Sequence, residues 1–149
     1  MRKIALVVGL VLLPTAVRAQ PAGLPSEIQA GIEENKKACG EPVKLKPGFI
    51  VEKDINGDGV KDYILDYGKF VCGDSETYFC GSAGCTTEVY ASVRSGGYVK
   101  VLEENVRGLQ FRVVSGRPAM LLALHGSACG KVGAAPCNRT LYWNGQTFK

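Results

Sequence analysis

The chain has 149 residues, with 18 Lys and Arg against 14 Asp and Glu, one His and six Cys. Removing the apolar leader takes away Arg2, Lys3 and Arg18 and lowers the formal charge from +4 to +1. The remaining cations are scattered, which excludes an electrostatic nucleic-acid binder that must neutralise phosphates with clustered Lys and Arg.

Arg2 and Lys3 precede an almost wholly apolar run from Ile4 to Val17, and Val17-Arg18-Ala19 supplies small residues where a signal peptidase reads. Residues 1–19 therefore read as a signal peptide, and residues 20–149 as one domain. The apolar run is shorter than the ~20 residues a membrane span needs, and no second run approaches that length. The expectation is a soluble periplasmic or secreted protein with no transmembrane segment. All six cysteines, Cys39, Cys72, Cys80, Cys85, Cys129 and Cys137, fall after the leader. An even count in an exported chain reads as a disulfide framework. Spacing favours Cys80 with Cys85 and Cys129 with Cys137, leaving Cys39 for Cys72. A zinc site is the alternative, but no C-x-x-C pair is present and the sole histidine, His125, is far from Cys80 and Cys85 in sequence.

In chain order, Pro21, Gly23 and Pro25 form a lead-in. Ser26 reads as the N-cap of a helix with Glu27 in its first turn, where the dipole favours an anion. Ile28, Ile32 and Cys39 make one apolar stripe, and Gly40 reads as the stop. From Val43 onward, short strands alternate with turn chemistry. Phe49 to Lys53 and Tyr63 to Tyr67 flank a polar loop. Thr86 to Arg94 puts Val89, Ala91 and Val93 on one face, and Ser95-Gly96-Gly97 turns it into Tyr98 to Glu103. Gln110 to Val114 and Ala119 to Leu124 follow. Met120-Leu121-Leu122-Ala123-Leu124 has no polar face and predicts a central strand buried on both sides. Asn144-Gly145 between aromatic segments predicts a hairpin with a type I′ turn. The fold class is mainly β: an antiparallel sheet or small sandwich with one N-terminal helix, stapled by disulfides.

The most specific stretch is Asp54-Ile55-Asn56-Gly57-Asp58-Gly59-Val60-Lys61-Asp62. Oxygen ligands at every second position, with glycine where the loop must turn, are the arithmetic of a calcium loop. The expected ligands are Asp54, Asn56, Asp58, the backbone carbonyl of Val60, and Asp62. Three carboxylates so close repel one another, and calcium would relieve that and order the loop. Where a helix–loop–helix site places its bidentate Glu, this chain has Leu65, and the flanks read as strands. The stretch from Asp54 to Tyr67 resembles the calcium loops of integrin-type FG-GAP repeats, whose D-x-N-x-D-G-x-x-D lies between two strands. That resemblance implies a calcium brace between strands, not a propeller, which would need several copies. More loosely, the loop, Cys80-Gly81-Ser82-Ala83-Gly84-Cys85 and the closing Trp143-Asn144-Gly145 look like small uncharacterised exported proteins of bacteria. This second resemblance implies no activity.

Chemistry is sparse. His125 precedes Gly126-Ser127, but no G-x-S-x-G elbow exists, and a lone His at a strand end reads first as a structural hydrogen-bonding residue. Asp66, Asp74, Glu76, Glu88, Glu103 and Glu104 read as solvated strand ends as readily as a hydrolytic pair. Tyr78, Phe79, Tyr90, Tyr98, Tyr142 and Trp143 offer a recognition face or, more simply, cross-strand packing. No catalytic residue is assigned. The expectation is a calcium-binding, non-enzymatic exported module with a structural or protein-binding role, its partner an envelope or secreted protein. Such a compact, stapled body suits an inhibitor of a cell-envelope or foreign enzyme. The competing expectation is a small hydrolase of envelope polymers using His125 or a carboxylate pair.

Overall fold

A computed structural model describes residues 23–149; the expected signal peptide lies outside the described residues. One helix, α1 (Ser26–Cys39), leads into ten strands: β1 (Val43–Leu45), β2 (Ile50–Lys53), β3 (Asp62–Asp66), β4 (Phe70–Cys72), β5 (Cys80–Gly81), β6 (Gly84–Ser92), β7 (Tyr98–Val106), β8 (Gly108–Val114), β9 (Arg117–Leu124) and β10 (Cys137–Tyr142). Every pairing is antiparallel. None of the described helices is long and apolar enough to cross a membrane.

The helix stops as the sequence implies, on Gly40 in the left-handed region with φ 70°. It starts differently. Pro25 is the N-cap and makes no side-chain cap bond, so Ser26 is already helical, and its Oγ donates to Glu27 instead, at 2.9 Å. Glu27 does the anchoring: its Oε1 accepts the Tyr98 N–H at 3.0 Å and ties the first turn to β7. That N–H, the residue's own N–H and the Ser26 hydroxyl hold the Glu27 carboxyl below the usual carboxylate range.

Three layers result. The larger sheet runs β2-β3-β6, with β5 continuing beside β3 on one edge of β6 and β7 on the other. On one face of it lies α1, over a core of Ile28, Ile32, Phe49, Leu65, Tyr67, Phe70 and Tyr90. Against the opposite face lies the three-stranded sheet β10-β9-β8, over Val89, Val106, Met120, Leu122, Leu124 and Phe148. A small pair, β1 with β4, closes the helix end. The disulfides Cys39–Cys72, Cys80–Cys85 and Cys129–Cys137 staple these parts, and among the described residues no cysteine is free.

Two sequence expectations change here. The strand buried on both sides is β6, not β9. From Thr87 to Ser92 every β6 residue is buried, whereas β9 buries Met120, Leu122 and Leu124 but leaves Leu121 and Ala123 partly exposed. The reason is layer position: β9 centres an outermost sheet, while β6 lies between the helix and that sheet. The Asn144-Gly145 hairpin closes with Trp143 bridged to Phe148, yet only Gly145 has positive φ, at 99°. It is therefore not a type I′ turn, which needs positive φ at both central residues. Asn144 instead uses its Oδ1 to accept the N–H groups of Gln146 and Thr147, at 3.0 and 2.9 Å.

Candidate functional site

The loop from Asp54 to Asp62 joins β2 to β3 and is rooted in the middle of the molecule by its last residue. Asp62 is fully buried. Its Oδ2 accepts the Ile55 N–H at 2.7 Å, and its Oδ1 accepts the Ser92 N–H at 2.7 Å and the Ser92 hydroxyl at 2.8 Å. Ser92 ends β6, so the carboxylate clips the loop to the central strand. Asn56, also buried, donates to the Ser92 carbonyl at 3.0 Å and accepts the Asp58 N–H at 3.1 Å. Asp54 turns inward on the loop, accepting from Gly57 and Gly59 at 2.7 and 3.0 Å. Both glycines have positive φ, 80° and 83°, which side-chain-bearing residues disfavour.

Asp58 shows the balance of forces. Burial alone would raise its carboxyl, but the Val60 N–H, the Ser92 hydroxyl, the Asn56 amide and the charge of Arg94 outweigh it and hold the group below its usual range. Among the described residues, no Lys or Arg lies within ion-pair distance of Asp54, Asp58 or Asp62. The donor set is all oxygen, as a hard cation requires. The side chains are nonetheless turned to backbone N–H groups, and among the described residues no three acidic, His or Cys side chains converge on one point. Val60 is exposed, and its N–H donates to Asp58 at 2.8 Å.

Glu88 is no solvated strand end. It is fully buried beneath α1, where its Oε2 accepts the hydroxyls of Tyr90 and Tyr67 at 2.9 and 3.3 Å. Its Oε1 accepts Lys100 Nζ at 3.0 Å and the Asn35 amide at 3.2 Å. A register shift in β7 opposite Val89 and Tyr90 leaves Val101 unpaired. That bulge lets Lys100 and Glu103 share the helix-facing side, which strict alternation would forbid. Lys100 Nζ consequently also meets Glu103, at 2.7 Å. Burial disfavours the lysine's charge, but its two carboxylate partners more than compensate and raise its pKa. Burial first, then the Glu88 charge, pushes the Tyr67 and Tyr90 phenols up. Gly31 makes the close approach possible, since a Cβ there would stand 2.1 Å from the Tyr90 hydroxyl. Glu88 and Glu103 are register partners; Lys100 bridges the two carboxylates, at 3.0 and 2.7 Å, and the helix covers Glu88.

His125 caps a short 3-10 turn (Gly126–Cys129) at the end of β9. Its Nδ1 lies 2.7 Å from Ser127 Oγ and accepts the Ser127 N–H at 3.3 Å. Gly133 packs on the far side of the ring, where a Cβ would stand 2.3 Å from Nε2. No carboxylate bonds to the ring among the described residues, so the pair lacks an acid to orient it. The aromatics do not gather into a face. Phe79 packs on Tyr67 and Phe70, Tyr98 on Tyr63, and Trp143 on Phe148; Tyr78 alone of the six is exposed by more than a third, at 47%.

Sequence reasoning missed a groove of about 940 Å³ between the two sheets. Its floor is one face of the larger sheet, with Val51, Lys53, Ile64 and Thr87, and its wall is the run Gly108 to Arg112 of β8. Lys53 Nζ reaches across it to 5.9 Å from the Phe111 ring centroid. The signal was faint: it required knowing that β2 and β8 are both sheet edges and lie on the same side.

Comparison with protein-family models, with curated proteins and with solved structures finds no match to this chain.

Proposed function

We propose that the chain is an exported, calcium-braced, disulfide-stapled β module that acts by binding another protein, and that its calcium is structural. The reading is supported above all by the loop from Asp54 to Asp62: three carboxylates with no Lys or Arg within ion-pair distance among the described residues, rooted through Asp62 and Ser92 in the central strand. Asp54, Asn56, Asp58, the Val60 carbonyl and Asp62 would hold the ion. For this, Asn56 Oδ1 and one oxygen each of Asp54 and Asp58 would re-aim from backbone N–H groups to the cation. A hard divalent ion there offsets the mutual repulsion that neutral N–H donors only soften. Binding to the folded state alone stabilises it in proportion to the logarithm of ligand concentration over Kd. The test is thermal unfolding of the mature protein in calcium and in chelator. Calcium should raise the Tm, and Asp58→Ala should abolish the increment. Equal melting in both conditions would leave the loop a hydrogen-bonded turn.

One observation favours a second reading. The His125–Ser127 contact at 2.7 Å is the distance at which a hydrolase base meets its nucleophile. Turnover of envelope polymers that disappears in Ser127→Ala would establish it and displace the binding module.

A further inference from the structure

The groove between the sheets is an unfinished sandwich. Among the described residues the three-stranded sheet ends at β8, whose second edge carries no strand, and β2 likewise ends the larger sheet. Between them the described residues leave part of the larger sheet's face uncovered, with Val51 42% exposed. The groove is lined by consecutive residues from Gly108 to Arg112, odd and even alike. Side chains of alternate parity point to opposite faces, so a groove touching both runs along the strand's edge. From the other sheet it is lined by Val51, Lys53 and Ile64, and the register pairs Val51 with Ile64 on one face. The occupant that fits is therefore an extended chain, bonded sideways to β8 and laid face-down on the larger sheet. Edge strands are commonly blunted by Pro, Lys or a bulge. β8 is seven residues, GLQFRVV, without Pro or Lys, and its register with β9 is unbroken.

Charge says which chain. Lys53, Arg107 and Arg112 line the groove, and among the described residues none has a carboxylate within ion-pair distance. Arg107 is held in place by carbonyls, its Nε and Nη2 donating to Ser82 at 3.0 and 2.7 Å. The one acid in the lining, Asp66, accepts the Gly68 N–H at 2.9 Å. We infer that this groove receives an acidic, extended segment of a partner protein, which adds as a fourth strand beside β8 with apolar residues on Val51 and Ile64 and carboxylates among Lys53, Arg107 and Arg112. Strand addition of this kind takes affinity from main-chain bonds and selectivity from alternate side chains. The inference rests on the binding-module reading and supplies its surface and partner chemistry.

The test uses the mature, oxidised protein, labelled with ¹⁵N, and a capped heptapeptide alternating Val with Glu or Asp. Amide shifts should concentrate in β8 and beside Lys53 and Ile64, and affinity should fall with added salt. Lys53→Glu combined with Arg112→Glu should weaken binding by about tenfold. A counterpart peptide carrying Lys in place of the acids should not bind, a control that needs no variant. The inference is overturned if the acidic peptide leaves β8 unshifted, if the basic peptide binds as well, or if the double variant binds unchanged. It is also overturned if polygalacturonate shifts β8 where the peptide does not, or if the free protein self-associates through β8. A partner captured from envelope extract equally by wild type and double variant would overturn the groove and leave the binding module standing. Polymer hydrolysis lost in Ser127→Ala, with β8 silent to the peptide, would overturn both.

Discussion

Asp62→Ala separates the two jobs of the loop. Removing the carboxylate strands the Ile55 and Ser92 N–H groups in a fully buried site, together with the Ser92 hydroxyl. Each orphaned buried donor costs roughly 1–3 kcal/mol, so the two N–H groups alone predict a loss of about 2–6 kcal/mol. The hydroxyl can rotate to Asp58, 2.8 Å away, and adds little. Against the ~5–15 kcal/mol that holds a small domain together, that is a large share. Urea unfolding in chelator measures it without interference from any ion. Asp58→Ala removes an exposed side chain whose buried partners Ser92 and Asn56 keep other acceptors, in Asp62 and the Ser92 carbonyl, and should cost under about 1 kcal/mol in the same buffer. A loss below about 1 kcal/mol for Asp62→Ala in chelator would refute the idea that this carboxylate is a structural clip. A loss that appears only with calcium would make Asp62 a ligand first.

Other outcomes are expected. Glu88→Ala should destabilise by about 2–4 kcal/mol, because it leaves the Tyr67 and Tyr90 phenols without their acceptor beneath the helix, while Lys100 keeps Glu103; a near-neutral result by urea unfolding would mean the network is wet and loose. Gly31→Ala should cost about 1–3 kcal/mol through its collision with the Tyr90 hydroxyl, and Tyr90→Phe in the same chain should recover part of that loss. The lowered pKa of Glu27 contributes stability present above the unfolded carboxyl's pKa, about 4.3, and lost as pH falls through the folded value; Glu27→Gln should flatten that acid limb in Tm measured against pH. Loop-closure entropy over a separation of 33 residues predicts about 4 kcal/mol for removing Cys39–Cys72, and over 5 residues about 2 kcal/mol for Cys80–Cys85; paired Cys→Ser variants measure both.

The sequence makes some of this legible because local chemistry decides it. Gly40 stops the helix, and Ser95-Gly96-Gly97 turns β6 into β7, since both need backbone conformations glycine alone adopts freely. The burial of β6 was not legible, because Thr87, Glu88 and Ser92 look like surface residues until their partners are known. Apart from Tyr90, two residues on, Glu88 finds its donors on α1, on β7 and in the turn after β3, and none of those is near it in sequence. The apolar run of β9 misleads for the converse reason: hydrophobicity records a preference for burial and says nothing of which layer supplies a cover. The loop from Asp54 to Asp62 could be read from the sequence only as a pattern of oxygen-bearing residues, and the clip from Asp62 to Ser92 joins residues thirty apart and belongs to the tertiary fold. The groove depends on two edges coming to the same side, which no spacing encodes.

Arg107 carries a consequence for how this chain would meet a protease. Its guanidinium spans from the Ser82 carbonyl, inside the Cys80–Cys85 ring, to the Gly133 carbonyl, inside the Cys129–Cys137 ring. Both rings carry exposed residues that a protease would sample. A cut within either leaves the chain in one piece, since the disulfide still joins the ends, and Arg107 still holds the nicked loop against the body. Damage of this kind would be silent on a non-reducing gel and visible only after reduction. The molecule can be wounded twice at this corner and remain whole.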